Sequence, residues 1–159
     1  MRVGLIGTGF GARVQAPGFV EAPDVELVAI CSAQRARAEE AANQFNVPSF
    51  TDDYRELLGR ADIDLVSVCT PPHLHHDMTV AVIEAGKHVL CEKPLALDAG
   101  EAADMVHRAQ ERGVVNAVDH QQRFVASRRH FRDLVRSGIL GDLRLVRSSH
   151  HAGYAVNPY

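Results

Sequence analysis

The 159-residue sequence predicts an α/β fold built on a doubly wound parallel sheet. Three observations carry that expectation. Short runs rich in Val, Ile and Leu recur through the first 119 residues and are continuous rather than alternating, as strands buried on both faces are. Helix-like stretches separate these runs, which requires crossover connections between parallel strands. A glycine-rich turn, Gly7-Thr8-Gly9-Phe10-Gly11-Ala12, joins the first run to the first helix.

RVGLIG, residues 2–7, is the first strand. The turn after it fits the G-x-G-x-x-G/A dinucleotide fingerprint: Gly7 permits the tight turn, Gly9 lets a pyrophosphate approach the backbone, and Ala12 allows helix to pack closely on strand. The helix over 10–21 contains Pro17, which is expected to shorten or kink it. VELVAICS (25–32) is the second strand and 34–45 the second helix; a short strand near 47–50 and a helix over 53–60 complete the first half. DLVSVCT (64–70) follows, stopped by Pro71 and Pro72, and a helix over 74–85 ends at Gly86. KHVLCE (87–92) is the next strand, and Pro94 forbids its ladder from continuing. Asp98 and Glu101 have capping-box spacing at the head of a helix over 98–112, Gly113 ends it, and GVVNAVD (113–119) is the last strand of the set.

Composition narrows the function classes. With 46% hydrophobic residues the chain can bury one sizeable core. It has no apolar run long enough to span a bilayer, and MRVGLIGTGFG lacks the pattern of a signal peptide, so a cytoplasmic protein without a membrane partner is expected. Cys31, Cys69 and Cys91 are odd in number and follow strand-like runs, which points to inert thiols, with one reactive thiol near a ligand as the alternative. From residue 123 onward seven arginines face only Asp133 and Asp142, a net +5, while the preceding residues carry −8 of the total −3. That basic segment lacks interleaved aromatics for base stacking and backs onto Phe124, Phe131, Leu134 and Val135. A solvated helix face or a surface meeting another domain is expected there, not a nucleic-acid site.

The candidate site residues stand at strand ends. An acidic residue is expected to close the second strand and hold ribose hydroxyls, but Ser32 is there. Ser32 can bond a hydroxyl or a 2′-phosphate, and Arg35 and Arg37 can supply charge, which leans toward NADP over NAD; the alternative is that both arginines solvate a helix carrying Glu39 and Glu40. Thr70 and Pro71 lie where the fourth strand reaches the carboxyl edge of the sheet. His73, His75 and His76 lack metal-ligand spacing and have no completing carboxylate, so no metal is expected.

GLIGTGFGA, TPPHLHH, AGKHVLCEKPLAL and VDHQQRF occur in the order and spacing of the glucose-fructose oxidoreductase / inositol dehydrogenase / rhizopine catabolism (Gfo/Idh/MocA) family of NAD(P)-dependent oxidoreductases, which the whole chain resembles. The resemblance implies a Rossmann domain over 1–122, with Gly7, Thr8, Gly9, Phe10, Gly11 and Ala12 at the dinucleotide. It implies further that Thr70, Pro71 and His75 line the cleft, that Glu92 helps hold the nicotinamide riboside, and that Lys93 faces nicotinamide and substrate as the catalytic group. His120, Gln121 and Arg123 match the segment that closes this side of the cleft. Ser32 departs from the acidic residue of NAD-preferring members, and Ala33 stands where some NADP-using members carry an arginine.

By the same resemblance, residues 123–159 are a connecting helix and the first strand of a C-terminal domain not contained in this chain. Hydride exchange with a sugar- or polyol-type substrate is the activity implied, the isolated chain being expected to bind cofactor without turning over. A non-catalytic dinucleotide-binding or cofactor-sensing module is the alternative. LRLVRSSHH (143–151) is expected to be a strand lacking a sheet to join, giving either a homo-oligomer through this segment or mobility after about Gly141.

For Lys93 the physical reading is direct. The strand carries the chain to the carboxyl edge and Pro94 ends it there, so Glu92 and Lys93 project into the crevice. An ammonium group there can bond a substrate hydroxyl and stabilise the alkoxide that forms as hydride leaves carbon. A purely structural surface pair is the alternative.

Overall fold

The computed structural model describes residues 1–149. They divide into two compact units, residues 1–120 and a second beginning at Gln121.

The first unit is a six-stranded sheet in the order β3-β2-β1-β4-β5-β6, parallel throughout. Its strands are β1 (Arg2–Ile6), β2 (Glu26–Cys31), β3 (Phe50–Thr51), β4 (Leu65–Val68), β5 (His88–Glu92) and β6 (Asn116–Asp119). The helices are α1 (Ala16–Glu21), α2 (Arg35–Phe45), α3 (Tyr54–Leu58), α4 (His75–Glu84) and α5 (Ala99–Arg112). The continuous apolar runs are the reason for this arrangement: Val3, Leu5, Val28, Ile30, Val66 and Val68 are fully buried, because both sheet faces need cover. Two clusters result, one including Val28, Leu57, Val66, Ile83 and Val89, the other Val3, Leu5, Leu27, Ile30 and Ala42. The last strand departs from the expectation of full burial. β6 is an edge strand with Ala117 exposed, and it is shorter than 113–119 because Gly113 turns left-handed (φ +66°) to end α5.

Helix ends follow local chemistry. Asp98 accepts from the Glu101 backbone N–H and Glu101 returns a bond to the Leu97 backbone N–H, satisfying donors that the first turn leaves open. Asp53 caps α3 through the Arg55 N–H. The expected helix over 10–21 is in fact two pieces: a π-type turn, Gly11–Gln15, runs into α1. Pro17 has no N–H for the Arg13 carbonyl and its ring crowds that turn, which favours the wider i→i+5 bond from the Ala16 N–H to the Gly11 carbonyl.

The second unit contains a 3₁₀ turn, Gln121–Phe124, and α6 (Ala126–Arg136). Residues 143–149 form no strand, contrary to the reading of 143–151; His150 and His151 lie outside the described residues. The reason is the ladder: Leu143, Leu145 and Val146 are exposed, with no neighbouring strand among the described residues to bond their backbone. No described helix is long and apolar enough to cross a membrane.

Candidate functional site

Strand order reverses at β1, which lies between β2 and β4, and in such sheets the crevice opens beyond the carboxyl ends at that point. The first turn is built around Gly7. Its N–H donates to the Cys31 carbonyl at 2.8 Å, and its φ of +105° is a conformation that side chains disfavour. A Cβ there would collide with the Cys69 carbonyl, whereas one on Gly9 would meet nothing within 4 Å. Gly7 is thus committed to the protein's own backbone, and Gly9 leaves an open approach. Close helix-on-strand packing falls at Gly11 rather than at Ala12: a Cβ on Gly11 would stand 3.1 Å from both Leu5 and Cys69, while Ala12 is only partly buried. Phe10 packs partly buried against the second core cluster.

Thr8 donates to the Ser32 hydroxyl at 3.0 Å, so the tip of the glycine turn and the end of β2 are one polar patch. The two neighbouring arginines differ. Arg35 reaches Asp52 at 3.5 Å and lies 5.1 Å over the Phe50 ring, an arrangement of side-chain partners. Arg37 instead lines an open cavity of about 530 Å³ with Thr8, Gly9, Ala12, Arg13 and Phe45.

Across the crevice, Thr70 and Pro71 leave β4. The Thr70 hydroxyl is buried without a hydrogen-bond partner among the described groups. His75 does not reach that cleft with its ring. It is buried, with Nδ1 2.7 Å from the Pro94 carbonyl oxygen and Nε2 2.8 Å from that of Thr70. A neutral ring donates to one of these oxygens and a doubly protonated ring to both. His75 therefore ties the loop after β4 to the turn after β5. His73 is exposed, and His76 lies between Asp77 (3.0 Å) and Asp104 (2.9 Å), whose bonds raise its pKa. The three histidines do not converge, and no metal-holding cluster occurs among the described residues.

The chain's two lysines flank β5 and have opposite fates. Lys87 is buried, donating from Nζ to the Arg60 and Ile63 carbonyls at 2.6 and 2.9 Å, with its pKa lowered by desolvation. Lys93 is exposed, and its ammonium forms no ion pair with any described residue. The Lys93–Pro94 peptide is cis. Glu92 is buried: Oε2 accepts from the Lys93 backbone N–H at 3.0 Å and Oε1 from the Gln15 side chain at 3.2 Å.

Sequence reasoning missed the partners of Glu92. The Gln15 amide also donates to Asp119 at 2.8 Å and accepts from Ser67 within β4, so four polar side chains meet at one point. Burial, followed by the nearby Asp119 carboxylate, raises the Glu92 pKa. A polar Gln15 facing the sheet, and an acid ending β6 as one ends β5, were the available signals. The thiols are buried, which disfavours the thiolate: burial pushes Cys31 up to about 12, Cys91 up to about 11, and Cys69 higher still. Gln121 and Arg123 lie on the 3₁₀ turn of the second unit.

The glycine turn, open at Gly9, suits the close approach of a phosphate to the backbone. Comparison with known proteins agrees. Residues 1–120 match the model of an oxidoreductase family described as an NAD-binding Rossmann fold. The D-glucoside 3-dehydrogenase of Escherichia coli K12 is 36% identical over 90% of this chain and 41% of its own length. The 1,5-anhydro-D-fructose reductase of Ensifer adhaerens is 39% identical over 88% and 42%. Among solved structures, KijD10, a 3-ketoreductase from Actinomadura kijaniata in complex with NADP and TDP-benzene, superposes with a TM-score of 0.82 at 32% identity, over 87% of this chain and 43% of that one. The chain spans about two fifths of the length of the relatives it matches.

Proposed function

The chain belongs to the Gfo/Idh/MocA oxidoreductase family as an NAD(P)-binding Rossmann domain, and from that premise we propose that it binds NADP at least as tightly as NAD and serves hydride exchange with a sugar- or polyol-type substrate. The observation that carries the cofactor reading is the end of β2: Ser32 stands where a carboxylate would repel a 2′-phosphate and bonds Thr8, and Arg37 lines the open cavity that Thr8 also lines, with Glu40 on the same wall. Sugar chemistry rests on the relatives, which are named as acting on a glucoside and on anhydrofructose.

In this reading Gly9 and the first-turn amides receive the pyrophosphate, Ser32 and Arg37 the adenosine ribose and its phosphate, and Thr70 lines the cleft wall. Residues 1–122 make up that binding domain. The dinucleotide, when bound, supplies the hydride acceptor or donor. Glu92 orients the riboside and Lys93 bonds the substrate hydroxyl, stabilising the charge that develops on its oxygen. Lys93 suits this role because its ammonium has no partner to give up among the described residues. The 159-residue chain alone is read as cofactor-binding without turnover, since positioning of the substrate carbon asks for an opposing wall as well. Exposed Leu143, Leu145 and Val146 support self-association through 143–151, which sedimentation at several concentrations tests.

Calorimetric titration with NADPH and NADH at fixed ionic strength tests the binding assignment. NADPH affinity equal to or above that for NADH is expected, and NADH binding tenfold tighter would overturn it. Incubation with either oxidised cofactor and a panel of sugars, following reduced-cofactor absorbance, tests the rest. Steady turnover abolished by Lys93→Ala would show that the chain suffices alone.

A further inference from the structure

Glu92 and Asp119 end adjacent parallel strands as register partners, and both carboxylates turn to the same side-chain amide. Gln15 holds them there. Its oxygen accepts from Ser67, which fixes the flip of the amide and leaves its two N–H donors for the two acids. One neutral amide is a poor counterweight to two negative charges, that of Glu92 buried and that of Asp119 half-buried. The remaining neighbours add none: Cys69 near the pair, and Cys91 on the other face of β5, carry thiols that burial keeps protonated, Lys93 gives Glu92 only its backbone N–H, and His120 follows Asp119 exposed. No arginine or lysine among the described residues forms an ion pair with either acid. Like charges confined together ionise one at a time.

We propose that Glu92 and Asp119 share one proton in the ligand-free protein and release it to solvent when oxidised, cationic nicotinamide binds beside Lys93. The charge balance is simple. The pair goes from −1 to −2 as the ring brings +1, and the proton leaves to bulk water. The reduced ring is neutral and calls for no release, so pH would bias the chain between the two redox forms of the cofactor. The raised pKa of Glu92, caused by burial and then by Asp119, agrees with this geometry. The second half of the proposal rests on the reading above that places nicotinamide at Glu92 and Lys93; the first half does not.

Infrared spectroscopy of the ligand-free protein tests the first half. A protonated-carboxyl band is expected at neutral pH, lost on raising the pH and absent in Asp119→Asn, whose fold circular dichroism checks, and in Glu92→Gln as a second variant. No such band in the wild type, or an unchanged band in both variants, overturns proton sharing. Calorimetry in two buffers of different ionisation heat tests the second half. About one proton released per oxidised cofactor is expected, with none for the reduced form, and up to tenfold tighter oxidised-cofactor binding per pH unit across the window. Equal proton counts for both forms overturn the coupling. Failure of both cofactors to bind sinks the cleft reading and the coupling with it, while the infrared result still stands or falls separately.

Discussion

The His75 ring sits 2.7 Å from the carbonyl oxygen of Pro94, with its other nitrogen on Thr70, so one buried side chain sets the spacing of the two loops that form the cleft beyond β4 and β5. Removing it takes the ring from between two carbonyls, leaving at least one without its donor, and opens a void. His75→Ala should cost about 2–4 kcal/mol. It should also weaken dinucleotide binding on the order of tenfold in protein that remains folded. Denaturant titration and calorimetry check both; unchanged binding would mean that Lys93 and Thr70 are positioned without the ring.

Gly7 and Gly9 should separate cleanly. Gly7→Ala combines a left-handed φ with collision against the Cys69 carbonyl, and a loss of about 3 kcal/mol or more is expected. Gly9→Ala meets open space, so stability should change by less than about 1 kcal/mol while cofactor affinity falls. Thermal melts with and without NADPH distinguish the two.

Arg37 and Arg35 should also differ. Arg37→Ala is expected to lower NADPH affinity by about tenfold with little effect on NADH, as loss of one charge-assisted bond would. Arg35, occupied by Asp52 and Phe50, should change neither by more than about threefold on substitution by alanine. Equal losses for both cofactors in Arg37→Ala would remove the 2′-phosphate from its neighbourhood.

The buried Glu92 makes stability depend on pH with a definite sign. Its folded pKa is raised, so its contribution is fully present below the ordinary glutamate range and is lost as pH rises through the folded value. Glu92→Gln removes that loss. Relative to wild type, the variant should gain on the order of 1 kcal/mol between acidic and mildly alkaline pH, read from urea midpoints at each pH. A wild type that gains on the variant as pH rises would contradict the assignment.

Much of the architecture was legible in the residues alone because it depends on local rules. Continuous apolar runs require burial on both faces, Gly7 marks a turn that other residues resist, and Pro94 ends a ladder wherever it stands. Those rules determined the parallel sheet, its crossover helices and the edge at which Glu92 and Lys93 emerge. Tertiary structure decided what depends on distance between remote segments. His75 became a clamp because Pro94, 19 residues away, offers a carbonyl to its ring. Arg35 and Arg37 parted because Asp52 and Phe50 of another element approach only one of them. Gln15 met Glu92 and Asp119 across 77 and 104 residues, bringing two acids to one amide. No periodicity encodes such a meeting, since it arises only once parallel strands bring their carboxyl ends side by side.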